Sequence, residues 1–344
     1  LVVAIFWYFL PQYTSISAVW SSIKSMTWLE ATTLGLVAAW NLATYWFVVV
    51  STMPGLKYRQ AALTTEASTA VSNTVPGGGA IGMALTYSMN SSWGFSRNRT
   101  SVSLVVSGLW NNFAKLGMPV LALSLLALKG KPGGGRIAAA FIGVLALVAV
   151  LMALGMLLSS ESSARRIGLW AASAASAVRK PFGRPPVQGW DKATVKFRSR
   201  TALLVRARWP FISLATLVSH VSLYLVLLLT LRHLGVSQRE VSWIEVLAVF
   251  AFARLLTAIP LTPGGLGVVE ITLIAGLVAA GGPRPEVAAS VLLFRALTFV
   301  LPIPIGLGCY LFWKRNKSWR LEPGTAPRTA LVPETPLVAG TATT

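Results

Sequence analysis

Apolar positions in this chain fall in long unbroken runs, not in the one-sided stripe of a soluble helix. The runs at 29–52, 102–128, 137–158, 209–231 and 287–313 each reach the roughly 20 residues that a helix needs to cross a bilayer. They predict an all-α, polytopic transmembrane helical bundle. The opening run, 1–10, stops at Pro11, is too short to span, and lacks the basic region of a signal peptide. It is expected to be the end of a helix that begins before Leu1.

Two stretches break the pattern. Residues 60–89, QAALTTEASTAVSNTVPGGGAIGMALTYSM, carry few large aliphatic side chains and many small or hydroxylated ones, with Pro76 to Gly79 in the middle. Such composition suits close packing against other helices better than contact with lipid. The second stretch, 241–280, is apolar apart from Glu245 and Arg254 until IPLTPGGLGVVEIT (259–272) interrupts it with Pro260, Pro263, Gly264, Gly265 and Gly267. Backbone groups freed at a break cannot face lipid, so they are buried in protein or line a wet cavity. Each stretch is therefore expected to form a Pro/Gly-broken helix, re-entrant or split into halves.

Composition sharpens the arrangement. Hydrophobic residues make up 54% of the chain, and the formal charge is +20. Most Lys and Arg residues lie between the apolar runs, where the positive-inside rule accounts for them, and no soluble basic domain is available to bind nucleic acid. They are densest in 159–208, opposed only by Glu161 and Asp191, so that segment is expected to be cytoplasmic, together with 57–59, 97–99 and the tail from 314. The first break is then approached from the cytoplasmic face and the second from the outer face, which is the sequence signature of an inverted repeat. Within the basic segment Ile167, Trp170, Ala174 and Val178 recur at helical spacing beside Arg165, Arg166 and Arg179, as in a helix lying on an anionic membrane surface. Residues 1–313 read as one integral-membrane domain, and 314–344 as a basic, then disordered, tail.

Charged side chains inside spans cost about 2.5 to 3.5 kcal/mol each on insertion scales, so each needs a reason. Around the second break these are Arg254, Glu270 and Arg295. Glu270 can neutralise one arginine and simply fix the helices, or one arginine can be left to bind a phosphate while Glu270 meets the other arginine or a cationic group. Around the first break Glu66 and Asn73 share a helix face, and Asn111 and Lys115 share another in the neighbouring span. The turns at Pro76, Gly77 and Gly78 and at Pro263, Gly264, Gly265 and Gly267 open new helices. Free amide hydrogens and the helix dipole there can meet an anion, or the glycines can serve packing alone.

Other motifs carry less. Gly77, Gly79 and Gly82 match a dinucleotide fingerprint in form, but no strand precedes them and no acidic residue follows at the required distance. His220 and His233 do not suggest a metal pair, and Cys309 reads as a small core residue. Neither a metal nor a cofactor is expected. No nucleophile with a neighbouring base and no ATP-binding loop is evident, which argues against an enzyme and against an ATP-driven pump.

The strings SNTVPGGGAIG and SSWGFS, and above all IPLTPGGLGVVE followed by LLFRALTF, resemble the membrane domain of lysylphosphatidylglycerol synthases, the flippase-like family. The similarity runs from about Leu29 to Trp313. It implies an inner-membrane protein that moves a lipid between leaflets, in those enzymes an aminoacylated phosphatidylglycerol. Those enzymes also carry a soluble aminoacyl-transferase domain; about 30 residues follow Trp313 here, so lysyl transfer is not assigned to this chain. The expected partner is a membrane lipid, an anionic or aminoacylated phospholipid or a glycolipid. Two alternatives stay open: a carrier of a small soluble anion, and a membrane scaffold for a separately encoded transferase that docks on 159–208.

Overall fold

The computed structural model describes residues 21, 24–75, 77–128, 145, 160–180, 185, 188–257, 265–321 and 325. The expected span at 137–158 lies outside these apart from position 145, as do Pro76, Pro260, Pro263 and Gly264 and nearly all of the tail from 322. Ten α-helices fill the described residues, with no strand among them: α1 Trp28–Thr52, α2 Tyr58–Thr74, α3 Gly78–Ser92, α4 Arg97–Leu128, α5 Glu161–Arg179, α6 Trp190–His233, α7 Trp243–Leu256, α8 Val268–Ala279, α9 Arg284–Arg295 and α10 Pro302–Arg315. A short π-helical segment, Ala296–Val300, joins α9 to α10. Four stretches, Trp28–Thr52, Arg97–Leu128, Trp190–His233 and Arg284–Arg315, are long and apolar enough to cross a membrane. The protein is an all-α helical bundle.

Local chemistry sets the helix ends. Thr27 begins α1 by accepting from the Glu30 amide, while Glu30 accepts from the Thr27 amide at 2.8 Å. Ser242 and Glu245 repeat this reciprocal cap at α7, so Glu245 serves as a helix cap. Between α2 and α3 the chain turns through Gly77 at φ +70°, a left-handed conformation that glycine adopts at little cost.

Two elements depart from the expected layout. Helix α6 runs unbroken for 44 residues, about 66 Å at 1.5 Å per residue, roughly twice the hydrocarbon thickness. No glycine interrupts 190–233 and the helix continues through Pro210, so the second half of the basic segment extends the span as helix. Helix α5 packs on that extension: Ala164 is buried, and a Cβ at Gly168 would come within 2.6 Å of the Trp190 carbonyl. The final span is not a uniform α-helix either. Leu301 donates to the Ala296 carbonyl at 2.8 Å, a one-residue-wider turn, just before Pro302 and Pro304 withdraw their amide donors.

Helix packing is reciprocal between the halves. Helices α1 and α6 run antiparallel, joined by Thr33 Oγ1 to His233 Nε2 (3.1 Å), by Asn41 Nδ2 donating to Ser222 Oγ (2.8 Å), and by Arg208 donating to the Val50 carbonyl (3.5 Å). Each break folds back on itself, α2 against α3 and α7 against α8. Each first arm then packs on the span that follows the other break, α2 on α10 and α7 on α4. Close approach explains several glycines: a Cβ at Gly82 would meet Ser72 Oγ at 2.5 Å, one at Gly276 would meet Val249 at 2.6 Å, and one at Gly306 would collide with the Glu66 carbonyl. The largest apolar core, with Leu227, Leu231, Phe250, Leu273, Leu277 and Val291, lies among α6, α7, α8 and α9.

Candidate functional site

Where the two broken segments meet the spans, the bundle encloses a cavity of about 330 Å³. Its wall includes Glu66 and Asn73 from α2, Lys115 from α4, Arg254 from α7, Gly265 from the second break and Arg295 from α9. Residues far apart in sequence and singled out by their charge or by the breaks thus converge on one space. Its size is at the lower end of the roughly 300 to 1,000 Å³ of small-molecule sites.

The second break is anchored by Glu270. Its Oε2 accepts from the Gly267 amide at 2.8 Å, capping α8, and its Oε1 accepts from Arg295 Nε at 2.7 Å. Both side chains are buried, so the pair sits where screening is weak and the loss of either partner is expensive. Glu270 itself is not part of the cavity wall; it stands behind Arg295. The Arg295 guanidinium lies 4.5 Å from the centre of the Phe299 ring. The Phe299 carbonyl accepts from Asn73 Nδ2 at 3.1 Å. A chain of polar contacts thereby runs from the second break, through the π-helical segment, to the end of the first arm of the first break.

Arg254 and Lys115 differ from Arg295. Neither forms an ion pair among the described residues, and Arg254 Nε is buried without a hydrogen-bond acceptor. Lys115 is only 8% exposed. The open question of which arginine Glu270 meets is therefore resolved in favour of Arg295, and Arg254 remains unmatched on the cavity wall. Glu66 is held at one oxygen by Trp46 Nε1, which donates at 2.7 Å from α1, while its Oε2 is buried without a partner.

The remaining predicted residues have other positions. Gly77 and Gly78 do not line the cavity; a Cβ at Gly78 would press on the Ser72 backbone at 2.8 Å, a packing role. Gly265 does line it, at φ +71°, where a Cβ would stand 2.9 Å from Val269. Gly267 is the N-cap of α8, and Asn111 is not on the wall. Pro76, Pro263 and Gly264 lie outside the described residues. His220 contacts the Thr216 carbonyl at 2.9 Å within α6, and among the described residues no group of three His, Cys, Asp or Glu side chains could hold a metal.

Sequence reasoning overlooked several wall residues. Thr65 and Thr69 precede the predicted Asn73 at every fourth position along α2, and Asn41 and Tyr45 are one turn apart in a largely apolar span. Both are polar stripes at helical spacing, so the signal was there to read. Phe299 and Pro302 gave no such signal, because they reach the wall through the π-helical segment.

An all-α membrane bundle with a polar cavity between two interrupted helices defines the class of protein. The family model described as the lysylphosphatidylglycerol synthase TM region matches residues 1–306, and the chain belongs to that family. No curated protein matches it.

Proposed function

We propose that this chain translocates a membrane lipid between leaflets, taking the head group into the cavity while the lipid chains stay in the bilayer. One observation carries the reading: Arg254 and Lys115 face the same buried space without an anionic partner among the described residues. Each would cost about 2.5 to 3.5 kcal/mol to insert, and a lipid phosphate supplies the missing counter-charge. The Glu66 Oε2 offers an acceptor to an amine or hydroxyl of the same head group. The reading involves no chemical step, cofactor or nucleic acid.

The reciprocal packing of α2 on α10 and α7 on α4, about an antiparallel α1–α6 pair, supports an inverted repeat whose broken segments are re-entrant from opposite faces. Location in the cell membrane, with the basic 159–208 segment and the tail in the cytoplasm, belongs to the same proposal. A second reading, a scaffold for a separately encoded transferase, draws on the α5–α6 pair, which leaves Leu169 55% and Trp170 73% exposed.

The test is transbilayer movement of a fluorescent phospholipid in liposomes holding the purified protein, with Arg254→Ala and Arg254→Lys beside the parent. Movement should fall at least tenfold in Arg254→Ala and recover in part in Arg254→Lys. Equal rates in all three would remove the site. Charge neutralisation across 159–208 should leave movement intact, whereas a scaffold would lose its partner.

A further inference from the structure

We infer that head-group movement through this cavity is proton-linked: Glu66 takes up a proton when an anionic head group enters and gives it up when the head group leaves. The inference rests on the head-group reading above and adds a second cargo to it. Two buried carboxyls stand at the cavity, in different surroundings. Glu270, behind the wall, is satisfied on both oxygens, by the Gly267 amide at 2.8 Å and by Arg295 at 2.7 Å. Glu66, on the wall, is 2% exposed and receives one neutral donor, Trp46 Nε1 at 2.7 Å. Its Oε2 is buried without a partner, and no cation pairs with it within 4 Å among the described residues. Helix α10 closes on the same turn, where a Cβ at Gly306 would collide with the Glu66 carbonyl. Leaving such a carboxyl ionised costs the desolvation of a charge that one neutral donor does not repay, and a proton removes that cost.

Charge ties that proton to the ligand. Arg295 and Glu270 cancel, so an entering phosphate meets Lys115 and Arg254 in favour of binding and an ionised Glu66 against it. The cavity then carries one net positive charge with Glu66 ionised and two with it protonated. An anionic head group favours the protonated form, and by linkage its binding takes up protons and tightens as pH falls. The proton comes from water on the side where the head group is loaded and returns to water on the other, so a pH difference drives the lipid from the acid to the alkaline side. Among the other titratable groups, Tyr45 of α1 lines the same wall, and Cys309 of α10 lies close enough to feel the Glu66 charge, with Tyr310 beside it. Tyr87 of α3 is bonded to Ser101 of α4. Tyrosine, cysteine and arginine ordinarily titrate above about pH 8. Lys115 on the wall and His220 of α6 therefore remain to be told apart from Glu66.

The experiment follows a pH indicator while phosphatidylglycerol binds the purified full chain in weakly buffered detergent between about pH 5.5 and 8, a range in which its phosphodiester keeps one negative charge. Binding is measured in parallel, so that uptake is expressed per bound lipid. The parent should take up at least about a third of a proton per lipid at its maximum and bind roughly threefold more tightly at the acid end of the range. Glu66→Gln, which keeps an acceptor for Trp46, should lose at least half of this uptake per bound lipid. Uptake that survives Glu66→Gln undiminished belongs to Lys115 or His220 and overturns the inference, as does the absence of uptake in the parent. Should Glu66→Gln not bind the lipid, Trp46→Phe decides: loss of the one donor should move the pH of maximal uptake upward, and an unmoved maximum overturns the inference. In liposomes with an imposed pH difference, the parent should collect fluorescent phosphatidylglycerol in the leaflet on the alkaline side. Movement that ignores the pH difference sinks the linkage and leaves translocation standing; proton uptake on binding without transbilayer movement does the reverse.

Discussion

At the scale of single residues, the Glu270–Arg295 pair separates structure from binding. Glu270 spends one oxygen on the Gly267 amide and the other on Arg295, so it holds the start of α8 to the middle of the last span. Replacing Glu270 by Gln takes the carboxylate away from the buried Arg295 guanidinium, and breaking such a pair typically costs about 3 to 5 kcal/mol. Glu270→Gln should therefore lower the unfolding temperature of the purified protein clearly. Glu270→Gln combined with Arg295→Met should lower it less, because no charge is then stranded. If the double variant is the less stable of the two, the pair is not what Glu270 provides. Arg254→Ala removes an unmatched cation and should leave the unfolding temperature unchanged or raise it. That contrast makes Arg254 the cleaner probe of ligand binding. The three charges were legible in the sequence because insertion cost marks them. Their pairing was not, since Glu270 and Arg295 meet only through the packing of α8 on α9.

At the scale of elements, glycine content decides which helices come close. Gly306 and Gly308 are two residues apart on α10, yet a Cβ at 306 would strike the Glu66 carbonyl of α2, whereas one at 308 meets nothing within 4 Å. Gly306→Ala should push α10 off α2 at a cost of about 1 to 3 kcal/mol, and Gly308→Ala should be neutral. Thermal unfolding of both variants checks this, and equal behaviour would mean that α10 does not sit on α2 as described. Because Glu66 faces the cavity from the same turn, Gly306→Ala should also weaken lipid binding. The breaks themselves were readable, as proline and glycine are the residues that stop and restart helices. The unbroken α6 was harder to see: the basic residues from Lys192 to Arg208 suggested a surface segment, but nothing between Trp190 and the apolar run breaks a helix. The π-helical segment had only Pro302 and Pro304 to announce it, and two prolines cannot specify which carbonyl Asn73 will meet.

At the scale of the whole molecule, the antiparallel α1–α6 pair and the crossed packing of the two halves make orientation testable. Ser237 lies exposed in the connector between α6 and α7, at the opposite end of α6 from Lys192, which is also exposed. With α6 as a membrane span, these two positions belong on opposite sides of the bilayer, and the proposed orientation puts Lys192 in the cytoplasm. Ser318, exposed just after α10, should share the side of Lys192, because the single span Arg284–Arg315, which α10 completes, separates it from the α8–α9 connector, and that connector lies beside Glu240 in the connector of Ser237. The native Cys309 is half-buried and is replaced first, as Cys309→Ala. In intact cells a membrane-impermeant maleimide should then label Ser237→Cys, and should label Lys192→Cys and Ser318→Cys only after permeabilisation. Labelling of Ser237→Cys and Lys192→Cys from the same side would rule out α6 as a span. Labelling of Lys192→Cys and Ser318→Cys from opposite sides would rule out the reciprocal arrangement. In the proposed arrangement a first arm approached from the cytoplasm and a first arm approached from outside meet at one cavity, where a head group held by Lys115 and Arg254 would touch both halves at once.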